Sequence, residues 1–284
     1  MVRTQRSRRR SLALDCRDVL FAHWEADPAT VAARLPDGLS VATHDGRAWL
    51  GVVAFAAEPI VPRGLPAALS RPFAQVDLRT YVEHRGERGV RFLSLDADDP
   101  LAVVGGRALA ALPYYRARTR LRNRAGEVTF ASRRTHRGAP PAHFAATYRG
   151  EGDAEPAEPG SLAAFLTESD AFFVGDDPLL RGAVARDPWP LQSADVTVHA
   201  NTLFDASEFD RPDGEPVAHY ASGGDVDLGR VRPVAGRRSP SDRPCRAFPV
   251  GCGADRSRRA DRRRAETDEG PIRIDVDEDS PREE

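Results

Sequence analysis

The stretch FAQVDLRTYVEHRGERGVRFLSLDA, residues 73–97, decides the fold class of this 284-residue chain. In residues 73–83 apolar and polar side chains alternate, and this two-residue period predicts a β-strand. The segment 85–89, which contains two glycines, predicts a turn into a second strand at 90–97. One face of the first strand presents Asp77, Arg79 and Tyr81. The face expected beside it on the second strand presents Phe92, Ser94 and Asp96.

The same alternation recurs on both sides of this hairpin. It predicts further strands at 48–55, 114–122, 127–134, 142–148, 182–186, 194–199 and 216–221. Short helices are predicted at 29–35, 101–112 and 162–168, each preceded by an Asp or Ser N-cap. Closely spaced hairpins with few helices favour an α+β fold that is mainly β, built on an antiparallel sheet or barrel. No glycine-rich phosphate loop follows a strand, so nucleotide binding is not supported.

The composition limits the chemistry that the chain can perform. Apolar residues make up 40% of it, enough for a folded core, and all 41 basic residues are arginine. Without a lysine side chain, the protein cannot form a lysine Schiff base with a ketone. Residues 11–232 contain 24 Arg and 31 Asp plus Glu, a formal net charge of −7. This acidic, lysine-free composition has two explanations, a GC-rich genome and adaptation of a halophile to concentrated salt.

The two ends of the chain differ in character from its middle. We expect a disordered basic tail at 1–11, a folded domain at 12–234 and a disordered charged tail at 235–284. The abrupt change of composition after residue 234 also fits a frame-shifted reading. The arginine-rich run at 256–264 is not expected to bind nucleic acid, because the domain beside it is acidic.

Several features indicate a cytoplasmic protein that needs no metal or cofactor. The run Arg8-Arg9-Arg10 resembles part of an export signal, but Asp15 follows too soon for the apolar segment that such a signal needs. Three cysteines, at 16, 245 and 252, are too few for a disulfide framework. No run of about 18 apolar residues exists, so we expect no membrane span. No two of the seven histidines lie at metal-ligand spacing with a carboxylate.

A series of short motifs, in order along residues 12–234, matches a known family. They are LFAHW at 20–24, LPDGL at 35–39, DGRAW at 45–49, LRTYV at 78–82, FLSLDA at 92–97, LPYYRA at 112–117, EPGSL at 158–162, PWPLQ at 188–192, NTL at 201–203, HYA at 219–221 and VRPV at 231–234. In these motifs the chain resembles the YqjF-like family of uncharacterised proteins, a branch of the acetoacetate decarboxylase-like superfamily. The resemblance implies an antiparallel sheet curled into a barrel-like cone around an internal cavity.

The resemblance also shows what this chain lacks. The decarboxylase family places a catalytic lysine after a glycine-x-proline turn, and a second lysine beside it lowers the pKa of the first amine. At the matching step this chain has Leu112-Pro113, followed by Tyr114 and Tyr115. The acidic residue of the family matches Asp77. A phenol cannot form an iminium with a ketone, so decarboxylation by the superfamily's mechanism is excluded.

If the cone forms, one face of each strand lines its cavity. The residues expected to bind a ligand are Arg79, Asp77, Tyr81, Ser94 and Tyr115. The candidates for catalysis are Tyr114, Tyr115 and Asp96. Arg79 is expected to hold a ligand carboxylate by two contacts, or else to form an ion pair with a neighbouring Asp.

Only one of the two tyrosines can point inward from an extended strand. Tyr115 is the better inward candidate, because it shares a face with Ala117, Thr119 and Leu121, unless the turn at Pro113 rotates Tyr114 inward instead. The inward tyrosine would donate a hydrogen bond, or act as a general acid if its pKa were lowered, with Asp96 as the base.

The sequence leaves three functions open. The first is the binding or conversion of a small organic acid or carbonyl compound, so whether the chain is an enzyme is not decided. The second is a ligand-sensing module without turnover, and the third is a structural domain that forms homo-oligomers. His23 and His219 fall in family motifs, but a single histidine beside an aromatic residue is more typical of a hydrogen-bonded core position.

Overall fold

The computed structural model describes residues 10–59 and 71–234 of the chain. The tails predicted at 1–11 and 235–284 lie outside these residues, apart from residues 10 and 11, which begin the first strand. In chain order the elements are β1 (Arg10–Ala26), α1 (Pro28–Ala32), β2 (Ser40–Val41), β3 (Ala48–Pro59), β4 (Phe73–His84), β5 (Glu87–Ala97), α2 (Pro100–Ala110), β6 (Tyr114–Arg124), β7 (Glu127–Arg134), β8 (His143–Glu155), α3 (Leu162–Thr167), β9 (Ala171–Val174), β10 (Leu180–Ala185), β11 (Leu191–Asn201), β12 (Val217–Gly229) and β13 (Arg232–Pro233). A short 3-10 turn at Asp205–Ser207 follows β11.

All of these strands belong to one sheet, in the order β13-β10-β9-β5-β6-β7-β8-β11-β12-β1-β3-β4-β2. The sheet folds back on itself twice, because β4 also pairs with β5 and β10 also pairs with β12. Two rings of hydrogen-bonded strands result, and they share β12, β1, β3, β4 and β5. The first ring is completed by β9 and β10, and the second ring by β6, β7, β8 and β11. The mainly β fold with a curled sheet is therefore confirmed.

The sheet is antiparallel except where β5 pairs in parallel with β6 and with β9. Neighbouring parallel strands need a crossover connection, whereas antiparallel strands can be joined by a tight turn. Helix α2 is the crossover between β5 and β6. It begins at the predicted Asp99 cap, whose Oδ1 accepts hydrogen bonds from the backbone N–H of Leu101 (2.6 Å) and Ala102 (3.0 Å).

The shared strands are buried on both faces, because each face belongs to a different core. In β3, Trp49 and Val53 pack into one core, whereas Leu50 and Val52 pack into the other. The first core also contains Phe21, Leu95, Phe172 and Trp189. The second core also contains Val76, Phe130, Phe144 and Tyr148. A strand that is buried on both faces has a continuous run of apolar residues instead of an alternating pattern, and residues 48–57 form such a run.

Strand β1 was not predicted, and its sequence explains why. It is 17 residues long, and its pairing with β3 shifts in register between Arg17 and Leu20. Asp18 at this irregularity has a φ of 51°, in the left-handed region. The extra residue interrupts the alternation of side chains, so the two-residue period is lost within the strand.

The predicted helix at 29–35 is shorter than expected. It ends as α1 at Ala32, although the predicted cap is present, since Asp27 Oδ2 accepts a 2.9 Å hydrogen bond from the Thr30 N–H. Within residues 10–59 and 71–234, none of the helices has the length and apolar composition needed to cross a bilayer.

Candidate functional site

A cavity of about 130 Å³ opens into the first core. We call it the first cavity. Its walls are mostly apolar and come from β1, β3, β4, β5, β9, β10 and β12 of the first ring, with Leu112 and Tyr114 beside α2. The polar side chains that line it are Gln75, Asp77, Arg79, Tyr114, Thr167, Ser169 and Arg186. A cavity of this size in a protein core can hold a benzene-sized guest.

Asp77 and Arg79 form a buried ion pair in this cavity. The Arg79 Nη2 donates to both Asp77 oxygens, at 3.0 and 3.3 Å, and the two side chains are only 14% and 3% exposed. The buried Arg79 Nε has no hydrogen-bond partner among the described residues. Burial raises the pKa of the Asp77 carboxyl, although the Arg79 guanidinium acts in the opposite direction. The site thus contains an unpaired donor and a carboxyl that ionises reluctantly.

Tyr114 is the tyrosine that lines the first cavity. Its hydroxyl donates a 2.8 Å hydrogen bond to Gln75 Oε1, and the residue is only 8% exposed. Helix α2 covers its ring so closely that a Cβ at Gly106 would overlap it. Burial raises the pKa of Tyr114, the opposite of the lowered pKa that would suit a general acid. Tyr114 is therefore a neutral phenol that can donate or accept a hydrogen bond.

Arg186 is a second cation at this cavity that the sequence did not reveal. It forms an ion pair of 2.8 Å with Glu168, and its guanidinium stacks on the Trp189 ring at 4.9 Å. Arg186 is the last residue of the predicted strand 182–186, where the strand pattern gives no sign of a cavity. The one feature of the sequence that could have indicated a role for Arg186 is its position just before the family motif at 188–192.

Cys16 on β1 is another cavity residue that the sequence did not point to. Burial raises the pKa of its thiol to about 12, so the thiol is protonated at neutral pH. In the described part of the chain, there is no group of three or more His, Cys, Asp or Glu side chains that could hold a metal ion.

Ser94 and Asp96 lie on the opposite face of β5 from the first cavity. The pairing of β4 with β5 shifts between Leu78 and Arg79, so that Arg79 pairs with Phe92 while Leu78 pairs with Ser94. This one-residue bulge reverses the faces of the residues that follow it. Phe92 lines the first cavity, as expected. The next residue of β5 that lines this cavity is Leu95, and not Ser94. The prediction that Phe92, Ser94 and Asp96 share one face is therefore wrong.

Asp96 forms an ion pair with a different arginine, Arg134. Its two oxygens accept hydrogen bonds of 2.7 Å from Nε and Nη2 of Arg134, and both side chains are at most 2% exposed. Burial raises the pKa of Asp96, while the hydrogen bonds from Arg134 lower it. As a fully paired carboxylate outside the first cavity, Asp96 does not have the position predicted for a base.

Tyr115 also lies outside the first cavity, so the inward orientation predicted for it is wrong. Its ring stacks on the Arg134 guanidinium at 3.9 Å. In the parallel pairing of β5 with β6, Leu95 lies beside Tyr114 and Asp96 beside Tyr115. The two tyrosines therefore serve opposite faces of the sheet. Tyr115 does share a face with Leu121, but that face belongs to the second core.

Tyr81 and His23 form a hydrogen-bonded pair inside the first core. The Tyr81 hydroxyl donates to the Leu166 carbonyl oxygen (2.5 Å), so it accepts from His23 Nε2 at 2.7 Å. Burial lowers the pKa of His23 and raises the pKa of Tyr81, so both are neutral. Neither residue is among those that line the first cavity. Tyr81, predicted to bind a ligand, instead links β4 to the end of α3.

Residues 14–225 match the family model DUF2071, whose description is "uncharacterized conserved protein". This chain belongs to the DUF2071 family. The DUF2071 protein described here is also 35% identical to the uncharacterized protein YqjF of Bacillus subtilis (strain 168) over 211 residues, which are 74% of this chain and 86% of YqjF. The family resemblance found in the sequence motifs is thereby confirmed.

Solved structures similar to this DUF2071 protein share its fold. The enduracididine biosynthesis enzyme MppR with HEPES buffer bound has a TM-score of 0.60 at 15% identity, over 80% of this chain and 88% of MppR. MppR complexed with pyruvate gives 0.59 at 15% identity, over 79% and 90% of the two chains. Acetoacetate decarboxylase from Legionella pneumophila subsp. pneumophila str. Philadelphia 1 gives 0.55 at 15% identity, over 81% and 90%. The acetoacetate decarboxylase-like fold is confirmed.

Proposed function

We propose that the first cavity of this DUF2071 protein binds a small carboxylic acid through Arg79. The observation that supports this most strongly is the buried Arg79 Nε, which has no hydrogen-bond partner among the described residues. A buried donor without a partner costs free energy, so such a group in a cavity indicates a missing acceptor. A carboxylate oxygen is the acceptor that an arginine N–H binds most strongly.

The charges around the cavity support an acid as the ligand. Arg79 and Arg186 both line the cavity, and Asp77 is the one carboxylate among the lining residues described. Arg186 is paired with Glu168, so Arg79, with its unpaired Nε, is the cation available to a ligand. Burial raises the pKa of Asp77, so this residue can take up a proton when a second carboxylate arrives. The guanidinium of Arg79 then transfers its interaction from Asp77 to the ligand. We therefore expect the acid to bind together with one proton.

The apolar walls and the volume restrict the ligand to a small acid. Val53, Phe92 and Leu95 provide apolar surface near Arg79, and the cavity of about 130 Å³ suits a guest of a few heavy atoms. A short oxo acid of the size of pyruvate meets these limits. A solved structure of similar fold, that of MppR, is a complex with pyruvate.

The chemistry of the bound acid does not involve a lysine. The chain has no lysine, so an iminium with a lysine side chain is excluded. The sequence resemblance puts Tyr114 and Tyr115 where the decarboxylase family has its two lysines. Of the two, Tyr114 lines the cavity, and its neutral hydroxyl can hydrogen-bond to a ligand carbonyl. Asp77 is the acid or base placed to exchange a proton with the ligand. Binding without turnover requires the same residues, so the sensing function is the alternative within this proposal.

Calorimetric titration with pyruvate tests this proposal, with pyruvamide as the uncharged analogue of the same shape. We expect pyruvate to bind and pyruvamide to bind at least about tenfold more weakly, because it lacks the charge that Arg79 pairs with. Arg79→Met should lose pyruvate binding. Arg116→Gln, which alters an exposed arginine on β6, is the matched control and should bind as the wild type does.

A second variant separates binding from folding. Arg79→Met leaves Asp77 buried without its partner, which could unfold the protein and would favour the ion-pair role of Arg79. The double variant Arg79→Met/Asp77→Asn removes both charges and should remain folded by circular dichroism. Pyruvate binding by this folded double variant would contradict the proposal.

A further inference from the structure

A second cavity, of about 450 Å³, lies on the opposite face of the sheet from the first. Its walls come from the end of α1, the 3-10 turn after β11, and strands β5, β6 and β7. The polar residues that line it are Arg34, Ser94, Tyr115, Arg134, Ser207 and Glu208. Three of the residues predicted as site candidates, Ser94, Tyr115 and Asp96, therefore lie at or directly behind this second cavity. Its volume falls in the range typical of small-molecule sites, about 300–1,000 Å³.

The charges at the second cavity cancel. The Arg134 guanidinium is paired with Asp96 through two hydrogen bonds of 2.7 Å, and its Nη1 donates to the Pro140 carbonyl oxygen. Arg34 at the rim donates to the backbone carbonyl oxygen of Glu208, and Glu208 is the one acidic residue among those described that line the cavity, so the formal charges of Arg34 and Glu208 balance. A charged ligand would therefore find no excess of opposite charge in this second cavity. The balance favours a neutral ligand.

The groups left available in the second cavity are hydroxyls. The Ser94 Oγ is buried and has no hydrogen-bond partner among the described residues. Tyr115 and Ser207 also line the cavity and contribute two more hydroxyls. A hydroxyl can donate and accept at once, so it matches another hydroxyl better than it matches a purely accepting anion.

Aromatic rings complete the lining. The Tyr115 ring and the Phe209 ring are both cavity residues, and each has an arginine guanidinium stacked on one face, Arg134 at 3.9 Å and Arg34 at 4.6 Å. Both rings are held in place by these contacts. Fixed rings beside hydroxyl groups suit a molecule that has C–H surfaces as well as hydroxyls.

From this combination we propose that the second cavity is a binding site for a neutral polyhydroxylated small molecule of the size of a monosaccharide. Ser94 and Tyr115 hydrogen-bond to its hydroxyls, and Arg34 and Glu208 bind it at the rim. This site is independent of the carboxylic-acid site, because the sheet separates the two.

Saturation-transfer NMR followed by calorimetric titration with D-glucose and myo-inositol tests the proposal. We expect at least one of these neutral polyols to bind, and gluconate to bind more weakly because it brings an unbalanced charge. Ser94→Ala and Tyr115→Phe should each weaken binding about 3- to 10-fold, the effect of one hydrogen bond. Ser193→Ala, an exposed serine on β11, is the matched control and should bind as the wild type does.

The variants also separate a binding role from a structural one. The Ser94 Oγ is buried without a partner, so Ser94→Ala should not lower the midpoint of urea unfolding. Tyr115→Phe keeps the ring on Arg134. Saturating pyruvate should not displace the polyol. The proposal is overturned if neither polyol binds at millimolar concentration, if gluconate binds more tightly than glucose, or if both variants bind the polyol as the wild type does.

Discussion

Asp77 is the residue whose environment has the clearest chemical consequence. Its carboxylate lies 3.0 Å from the Arg79 guanidinium, yet burial still raises its pKa above the ordinary value. A second carboxylate bound to Arg79 would raise this pKa further, because two negative charges would then share one cation. Binding of an acid and protonation of Asp77 are therefore linked.

We predict that the affinity for pyruvate falls as pH rises. Below the pKa of Asp77 in the free protein, the carboxyl is already protonated and the affinity is constant. Above it, each bound pyruvate must take up a proton, so the affinity declines as the pH rises from the pKa of Asp77 in the free protein to its higher pKa in the complex. The thiol of Cys16, with a pKa of about 12, and the buried Tyr114 and His23 stay neutral over this range.

Calorimetry at several pH values, in buffers of different ionisation enthalpy, measures both the affinity and the proton uptake. Asp77→Asn should remove the pH dependence, whereas Asp195→Asn, an exposed acid on β11, should keep it. A wild-type affinity that stays constant across this range would show that Asp77 is not linked to the ligand.

Single residues also show where the sequence was informative. The alternation in 73–83 correctly placed Asp77 and Arg79 on the same face, since their spacing depends only on the local strand. Ser94 and Asp96 were misplaced because one extra residue in β5 reverses the faces after Phe92. Such a bulge depends on the pairing with β4, and a single strand read alone contains no sign of it.

At the scale of elements, helix α2 determines the shape of the first cavity. Its Gly106 packs directly against the ring of Tyr114, and the helix reaches this position because β5 and β6 are parallel and need a crossover. Gly105, the preceding residue, has no atom within 4 Å of the position where its Cβ would lie. The two neighbouring glycines therefore differ in packing alone.

We predict opposite effects of alanine at these two positions. Gly106→Ala should lower the free energy of unfolding by about 1–3 kcal/mol, because the new methyl group overlaps the Tyr114 ring. Gly105→Ala should raise it by up to about 1 kcal/mol, the usual gain in helix propensity. Urea denaturation of both variants measures the difference. Equal effects would show that α2 does not pack on Tyr114 as described.

Elements defined by local signals were the ones that the sequence predicted. The helix caps at Asp99 and Ser161 lie where expected, and so does the turn at 85–86, which falls in the predicted segment 85–89. Each of these features depends on a few adjacent residues. Strand β1 was missed because its irregularity at Asp18 and its burial on both faces hide the alternation.

For the whole molecule, the main surprise is that five strands serve two cores at once. The alternation of apolar and polar residues predicts that strands form a sheet, but it does not predict which distant strands pair. Here β4 pairs with β5 and β10 pairs with β12, although these strands lie far apart in the order of the sheet. The consequence is a pair of cavities on opposite faces, which sorts the candidate residues into two groups. Asp77, Arg79 and Tyr114 lie in the first cavity, and Ser94 and Tyr115 in the second.

The central claim is that Arg79 holds a small carboxylate inside the first ring. A crystal structure of the protein soaked with pyruvate tests it most directly. We predict pyruvate in the first cavity with a carboxylate oxygen within hydrogen-bond distance, about 2.7–3.2 Å, of the Arg79 Nε, and Asp77 no longer paired with Arg79 through both oxygens. Pyruvate bound elsewhere, or a first cavity filled by side chains with Arg79 Nε paired to protein, would contradict the account.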